Sequence, residues 1–361
     1  MTRTGCPCLD ERRERTSLSA SEPGFIHRPF EHIYLENGLE ELPSVRQILG
    51  HFPGAAVIPV HHWKDVFNRP RQSVRLQHAS QALILGKRTG RLIYPGAPVC
   101  QNFGEDHFCY TSLCMNCPFD CDYCYLKGMY PTGNLALFVN LEDYFRELED
   151  MLNMHSVYLC ISYDTDLAAL EPLTGYIHAF RGFLDTHPGL KIEVRTKSAC
   201  MPLLRSLEPS PRLIFAFTLS PDSVIHAFEH GTPSLAARLT AAETALERGH
   251  PVRICLDPMI YVNAWREAYA ELVCALRARL GVQGMDRLRD VSIGSFRISG
   301  EYLRPMRRAC PDSAVVQFPF EQVSGYYQYP PALASEMEEY LLGLLTPHIP
   351  RERIFRWEES T

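Results

Sequence analysis

Residues 116–130 read NCPFDCDYCYLKGMY; they hold three cysteines, Cys117, Cys121 and Cys124, with a tyrosine on either side of the last. Four thiolates at paired CxxC spacing would describe a closed tetrahedral zinc site. Three on one loop suit a 4Fe–4S cluster in which one iron stays open to a further ligand. Cys114 and Cys117 also form a CxxC pair, so zinc on Cys114, Cys117, Cys121 and Cys124 stands as the alternative.

The chain around this loop alternates strand and helix patterns. Short β-rich runs occur at 108–113, 156–163, 191–197, 212–219, 251–257 and 290–297, each followed by a polar turn and a helix-period segment. The spacing predicts a helix over 233–248, capped by Thr232, and another over 264–280 that ends before Gly281. Parallel strands need crossover helices, so these units build one parallel sheet. The expected fold is α/β, a partial (β/α)6 TIM-like barrel with a small N-terminal α/β cap. Its parts are a flexible tail (1–29, including Cys6 and Cys8), the cap (30–95) and a barrel with C-terminal elaboration (96–361). The three-cysteine loop directly follows the first strand, at the strand end where such folds keep their active sites.

Composition excludes other classes. The chain has 361 residues, 46% hydrophobic and 22% charged, with a net charge of −6, so its surface as a whole does not suit nucleic acid. One segment departs from this balance: Lys64, Arg69, Arg71, Arg75, Lys87, Arg88 and Arg91 stand against Asp65 alone between His61 and Arg91. It reads equally well as a phosphate-touching patch or as a solvated face. The thirteen cysteines are clustered and odd in number, which favours metal or redox chemistry over disulfides. The start, MTRTGCPCLDERRERT, has no apolar signal region, and no apolar run is long enough to span a membrane. A cytoplasmic protein without a membrane partner is expected.

C-x3-C-x2-C with an aromatic before the third cysteine resembles the signature of radical SAM enzymes, whose open iron binds S-adenosylmethionine. A closer resemblance joins CDYCYLKG (121–128), FAFTLSPDSVIHAFEHGTPSLAARL (215–239) and LDPMIYVNAW (256–265) to the spore photoproduct lyase family. The resemblance implies repair of a UV-induced thymine dimer in DNA, 5-thyminyl-5,6-dihydrothymine, fed by an electron donor such as flavodoxin or ferredoxin. It makes Cys117, Cys121 and Cys124 the cluster ligands and places Tyr123 and Tyr125 in the hydrogen-return relay. Lys197, Thr165 and Thr218 fall where the family contacts the cofactor. Period 2 places Glu193, Arg195 and Lys197 on one strand face independently of that resemblance.

Two departures stand out. Tyr163 occupies the position at which the family carries its hydrogen-donating cysteine, and strand alternation points Cys160 to the opposite face. The segment VVQFPFEQVSGYYQY (315–329) is shorter than the family's basic hairpin and has no Lys or Arg. These leave two rivals, a radical SAM enzyme with another substrate and an iron–sulfur or zinc module that binds nucleic acid. Glu229 and Arg238 are read as touching the cofactor's ribose or each other. Cys100, Cys109 and Cys114 read as scattered buried thiols, and His61 and His62 as surface residues.

Overall fold

The computed structural model describes residues 30–97 and 100–357. The tail predicted over 1–29 lies outside them. Among the described residues, no helix is long and apolar enough to cross a membrane.

The main sheet has eight strands. Seven are parallel and follow one another in chain order: Phe108–Thr111, Val157–Cys160, Leu190–Thr196, Leu213–Thr218, Val252–Met259, Asp290–Ser295 and Ile354–Arg356. The eighth, Ile93–Pro95, pairs antiparallel with Phe108–Thr111 at one edge. All six predicted strands are present, with one more near the C-terminus. The two edge strands do not pair with each other, so the sheet is open. Leu213–Thr218 is buried at every position, as a parallel strand covered on both faces should be.

A second, five-stranded sheet combines His32–Glu36, Ala56–Val60 and Leu83–Gly86 with Leu135–Phe138 and Cys114–Met115. It therefore takes its last two strands from either side of the three-cysteine loop and grips that loop from outside.

Of the boundaries that differ from the sequence reading, three have a clear physical cause. The first helix spans Leu235–Glu247, capped by Ser234, whose hydroxyl accepts from Ala237 N at 3.3 Å, in place of Thr232. The next runs Trp265–Arg287 because the chain kinks through Gly281 (φ 63°) and resumes helical turns instead of stopping. Third, Val157–Cys160 ends three residues early. Ser162 takes over the pairing with its side chain, accepting from Arg195 N (2.6 Å) and donating to Arg195 O (2.7 Å). Strand alternation therefore does not extend from Cys160 to Tyr163.

The segment predicted as a shortened hairpin forms strands Glu321–Val323 and Tyr326–Gln328, joined through Ser324 and Gly325, both at positive φ. Tyr326–Gln328 also pairs with Arg297–Ser299, which continues from the Asp290–Ser295 strand. The hairpin has no cation of its own, but its neighbouring strand presents Arg297.

Candidate active site

A cavity of about 300 Å³ opens at the C-terminal ends of the parallel strands. Consecutive strand ends supply its wall: Ser162, Tyr163, Thr165 and Asp166 after Val157–Cys160, Arg195 to Lys197, Thr218, Asp257 and Pro258, then Phe296 and Arg297. Cys117, Cys121, Cys124, Tyr123 and Tyr125 close it from the loop. Every site residue predicted from sequence thus lines one space.

The loop is held from both sides. Asp120–Cys121 pairs antiparallel with Glu229–His230, and Asp122 N donates to Phe228 O at 2.8 Å. After Cys124 the chain turns into the short helix Leu126–Met129. Burial pushes the Cys121 thiol up to about 12, with Lys197 acting in the opposite sense. Burial also raises Cys117, and the nearby Cys124 and Cys121 add to that. Such a buried, mutually repelling set gives up its protons only to a strongly cationic partner.

A zinc site would need Cys114 as its fourth ligand. Cys114 is fully buried, faces the carbonyls of Met115 and Asn116, and does not line the cavity. Among the described residues no three His, Cys, Asp or Glu side chains converge on one metal ion. Cys117, Cys121 and Cys124 do line the cavity, as three ligands of a cluster with one open position would.

The Tyr123 hydroxyl donates to Glu229, which also accepts from Ser220 Oγ (2.7 Å) and pairs with the Arg238 guanidinium. Glu229 and Arg238 therefore pair with each other, both side chains fully buried, and Arg238 Nη1 also donates to the Thr218 carbonyl at 3.2 Å. Tyr125 donates to the Tyr163 carbonyl at 2.8 Å, and its ring stands 6.0 Å from that of Tyr163. Tyr163 stacks on Tyr110, ring centres 4.0 Å apart.

Two polar groups are left without strong partners. Thr165 Oγ1 is buried, with the weakly bonding Cys114 thiol beside it and no further hydrogen-bond partner within the described residues. The Lys197 ammonium lies 5.4 Å from the Tyr123 ring centre and makes no hydrogen bond among the described residues. Burial disfavours its charge, but Glu229 and the cysteines outweigh burial and hold its pKa above the usual value. A weakly bonded hydroxyl and a free ammonium beside three thiols fit a polar, carboxylate-bearing cofactor.

Sequence reasoning missed Asp164, Asp166, Cys100, Asp257, Phe296 and Arg297. Asp166 caps the helix Leu167–Thr174 through Ala169 N (3.1 Å) and accepts from Thr196 Oγ1 (2.8 Å) and Lys197 N (2.7 Å). An acid between a strand and an apolar helix was the available signal. Asp164 is held by Ser112 and by Tyr130 (2.8 Å). Burial raises its pKa, against those bonds. Within the basic segment, Lys87 pairs with Asp143, Arg75 with Asp312, and Arg88 bonds Tyr94, whereas Arg69 and Arg71 are exposed.

An α/β sheet whose successive strand ends converge on a three-cysteine loop defines the radical SAM class of enzymes. The family model of spore photoproduct lyase matches residues 104–297, more than half the chain, and the chain belongs to that family. The spore photoproduct lyase of Geobacillus sp. is 23% identical over 259 residues, covering 67% of this chain and 74% of that protein. That of Bacillus subtilis is 26% identical over 257 residues, covering 69% and 73%. Among solved structures, spore photoproduct lyase complexed with dinucleoside spore photoproduct superposes with a TM-score of 0.75 at 20% identity, over 91% of this chain and 99% of that one. A doubly substituted spore photoproduct lyase with bound AdoMet and the same dinucleoside gives 0.77 at 19%, over 92% and 100%.

Proposed function

We propose that this protein reverses the spore photoproduct, 5-thyminyl-5,6-dihydrothymine, to two thymines in DNA, using a 4Fe–4S cluster and S-adenosylmethionine. The observation that carries the reading is the meeting of Cys117, Cys121 and Cys124 with the buried Thr165 hydroxyl and the Lys197 ammonium in one cavity. The three thiolates would hold the cluster, and Thr165, Lys197 and Thr218 would bind the cofactor's polar end. When bound, that pair supplies a 5′-deoxyadenosyl radical able to take a hydrogen atom from the lesion.

The chain's own residues orient the reacting groups. Asp166 fixes Thr196 and the Lys197 backbone, so the ammonium is aimed by the sheet. Tyr125 and Tyr163 both line the cavity and belong to the hydrogen return. Tyr123, with its hydroxyl engaged by Glu229, acts from beside them. Arg297, paired with Asp257 at 3.2 Å, stands at the cavity edge beside the hairpin. The same reading includes a partial (β/α)6 barrel, supported by the sequential strand order, a cap over 30–95, a catalytic region over 96–361, lesion-bearing DNA as substrate, a flavodoxin or ferredoxin as reductant and a cytoplasmic location.

A first test needs no lesion. Anaerobic reconstitution should give a brown protein with about four irons per chain that cleaves S-adenosylmethionine when reduced. Cys121→Ala should abolish that cleavage. Colourless protein with stoichiometric zinc, or cleavage surviving in Cys121→Ala, would remove the cluster assignment.

A further inference from the structure

Four of the described cysteines line the cavity: Cys117, Cys121, Cys124 and Cys100. The first three stand on the cluster loop. Cys100 comes from outside that loop, and its Sγ lies 3.3 Å from the Tyr163 hydroxyl. Cys160 and Cys255, on two strands of the main sheet, are buried and do not line the cavity.

Cys100 and the residues that follow it are anchored. Cys100 N donates to Ala97 O at 2.9 Å, and Gln101 Nε2 donates to Arg356 O at 3.2 Å. Phe103 packs edge-on to Phe355, with the buried Arg253 guanidinium 3.2 Å from its ring centre. On the other side of the contact, Tyr163 is fixed by the Tyr110 stack and by Tyr125 at its carbonyl. The pair is thus held from two directions, and the weakly bonded Thr165 hydroxyl in the same cavity marks room for a bound molecule.

We infer that Cys100 is the hydrogen-atom donor to the substrate in this protein, and that Tyr163 restores it. This rests on the repair reading above. The carbon-centred radical left on the bound thymine pair takes hydrogen from Cys100: the S–H bond breaks, a C–H bond forms, and a thiyl remains. The thiyl takes hydrogen from the Tyr163 hydroxyl it touches, so S–H re-forms and the unpaired electron passes to the phenol oxygen. Return of the hydrogen first removed from the lesion closes that phenoxyl. Lesion and repaired dinucleotide are isomers, so the cycle consumes no net oxidant or reductant. Burial raises the Cys100 thiol, against the Tyr163 hydrogen bond, and burial likewise raises Tyr163; both therefore carry their hydrogens at neutral pH.

Two measurements test this. In reconstituted protein with S-adenosylmethionine and no reductant, iodoacetamide labelling of Cys100 is followed by peptide mass spectrometry. Spore-photoproduct dinucleotide at about twice its Kd should slow that labelling about threefold, the factor 1 + [L]/Kd; an unchanged rate overturns the assignment. In reduced protein, Cys100→Ala and Cys100→Ser should both lose repair by about tenfold or more while still cleaving S-adenosylmethionine. Serine keeps the hydrogen bond to Tyr163, but its O–H bond is too strong to give up a hydrogen atom. Rescue by serine, or full repair by Cys100→Ala, overturns the donor role. A wild-type control that repairs nothing fails the repair reading itself, which separates the two.

Discussion

The Thr165 hydroxyl is buried with only the weakly bonding Cys114 thiol beside it, which is an unusual state for a polar atom in a folded interior. If it exists for the cofactor, removing it costs binding and not folding. Thr165→Val should keep or raise Tm while weakening S-adenosylmethionine about fivefold, the worth of one neutral hydrogen bond of ~1 kcal/mol. Lys197→Met removes a charged donor and should weaken it by tenfold or more, on a scale of about 1.5–3 kcal/mol. Equilibrium dialysis on reconstituted protein measures both, and a Thr165→Val protein that melts lower with unchanged affinity would make the residue structural. At this scale the sequence was most informative where chemistry is local: Cys117, Cys121, Cys124 and their tyrosines sit within one short loop. Cys100 was not legible because it lies 63 positions from Tyr163 in the chain. Strand alternation gave the right outcome for Cys160, which does not line the cavity, but for the wrong reason, because Ser162 ends the Val157–Cys160 strand before alternation can reach Tyr163.

The helix Leu126–Met129 shows how the cluster loop is braced. It packs on Gly300–Ala309, and at Gly128 a side chain would meet the Tyr302 carbonyl oxygen at 2.2 Å. Alanine would gain up to about 1 kcal/mol of helix propensity. Against that, displacing a backbone carbonyl costs about 1–3 kcal/mol, so the clash wins. Gly128→Ala should therefore lower Tm and the iron retained after reconstitution; an unchanged melting curve would show that the two helices are free to separate. Element existence was readable from periodicity, since all six predicted strands form. Helix ends were not, because Ser234 outcompetes Thr232 as the cap and Gly281 bends its helix without ending it.

Across the whole molecule, buried charge ties the sheet to the site. Glu193 meets Arg253, which also holds Asp290, all beneath the strand ends; Glu229 meets Arg238 behind the cluster loop. Burial alone would raise both glutamates, but Arg195 and Arg253 beside Glu193, and Lys197 and Arg238 beside Glu229, pull them below 4.5. A carboxylate lowered in the fold stabilises it fully above its unfolded pKa and loses that stabilisation as pH falls through the folded one. Tm should therefore drop as pH goes below 4.5. Glu229→Gln, which strands Arg238, should cost about 3–5 kcal/mol at neutral pH and show a shallower acid decline. An equal acid decline in that variant would assign the effect to other carboxylates. The Glu193–Arg253–Asp290 network was not readable, since its members come from strands far apart in the chain, whereas the Glu229–Arg238 pair, close in sequence, was one of the two readings offered for those residues.

These scales meet in one reaction. Reduced, cluster-loaded protein is incubated with S-adenosylmethionine and spore-photoproduct dinucleotide, and the products are separated by mass-resolved chromatography. The account predicts disappearance of the lesion and appearance of unmodified thymine dinucleotide, with both lost in Cys121→Ala. Cleavage of S-adenosylmethionine with the lesion left intact would contradict it and assign this cavity to another substrate.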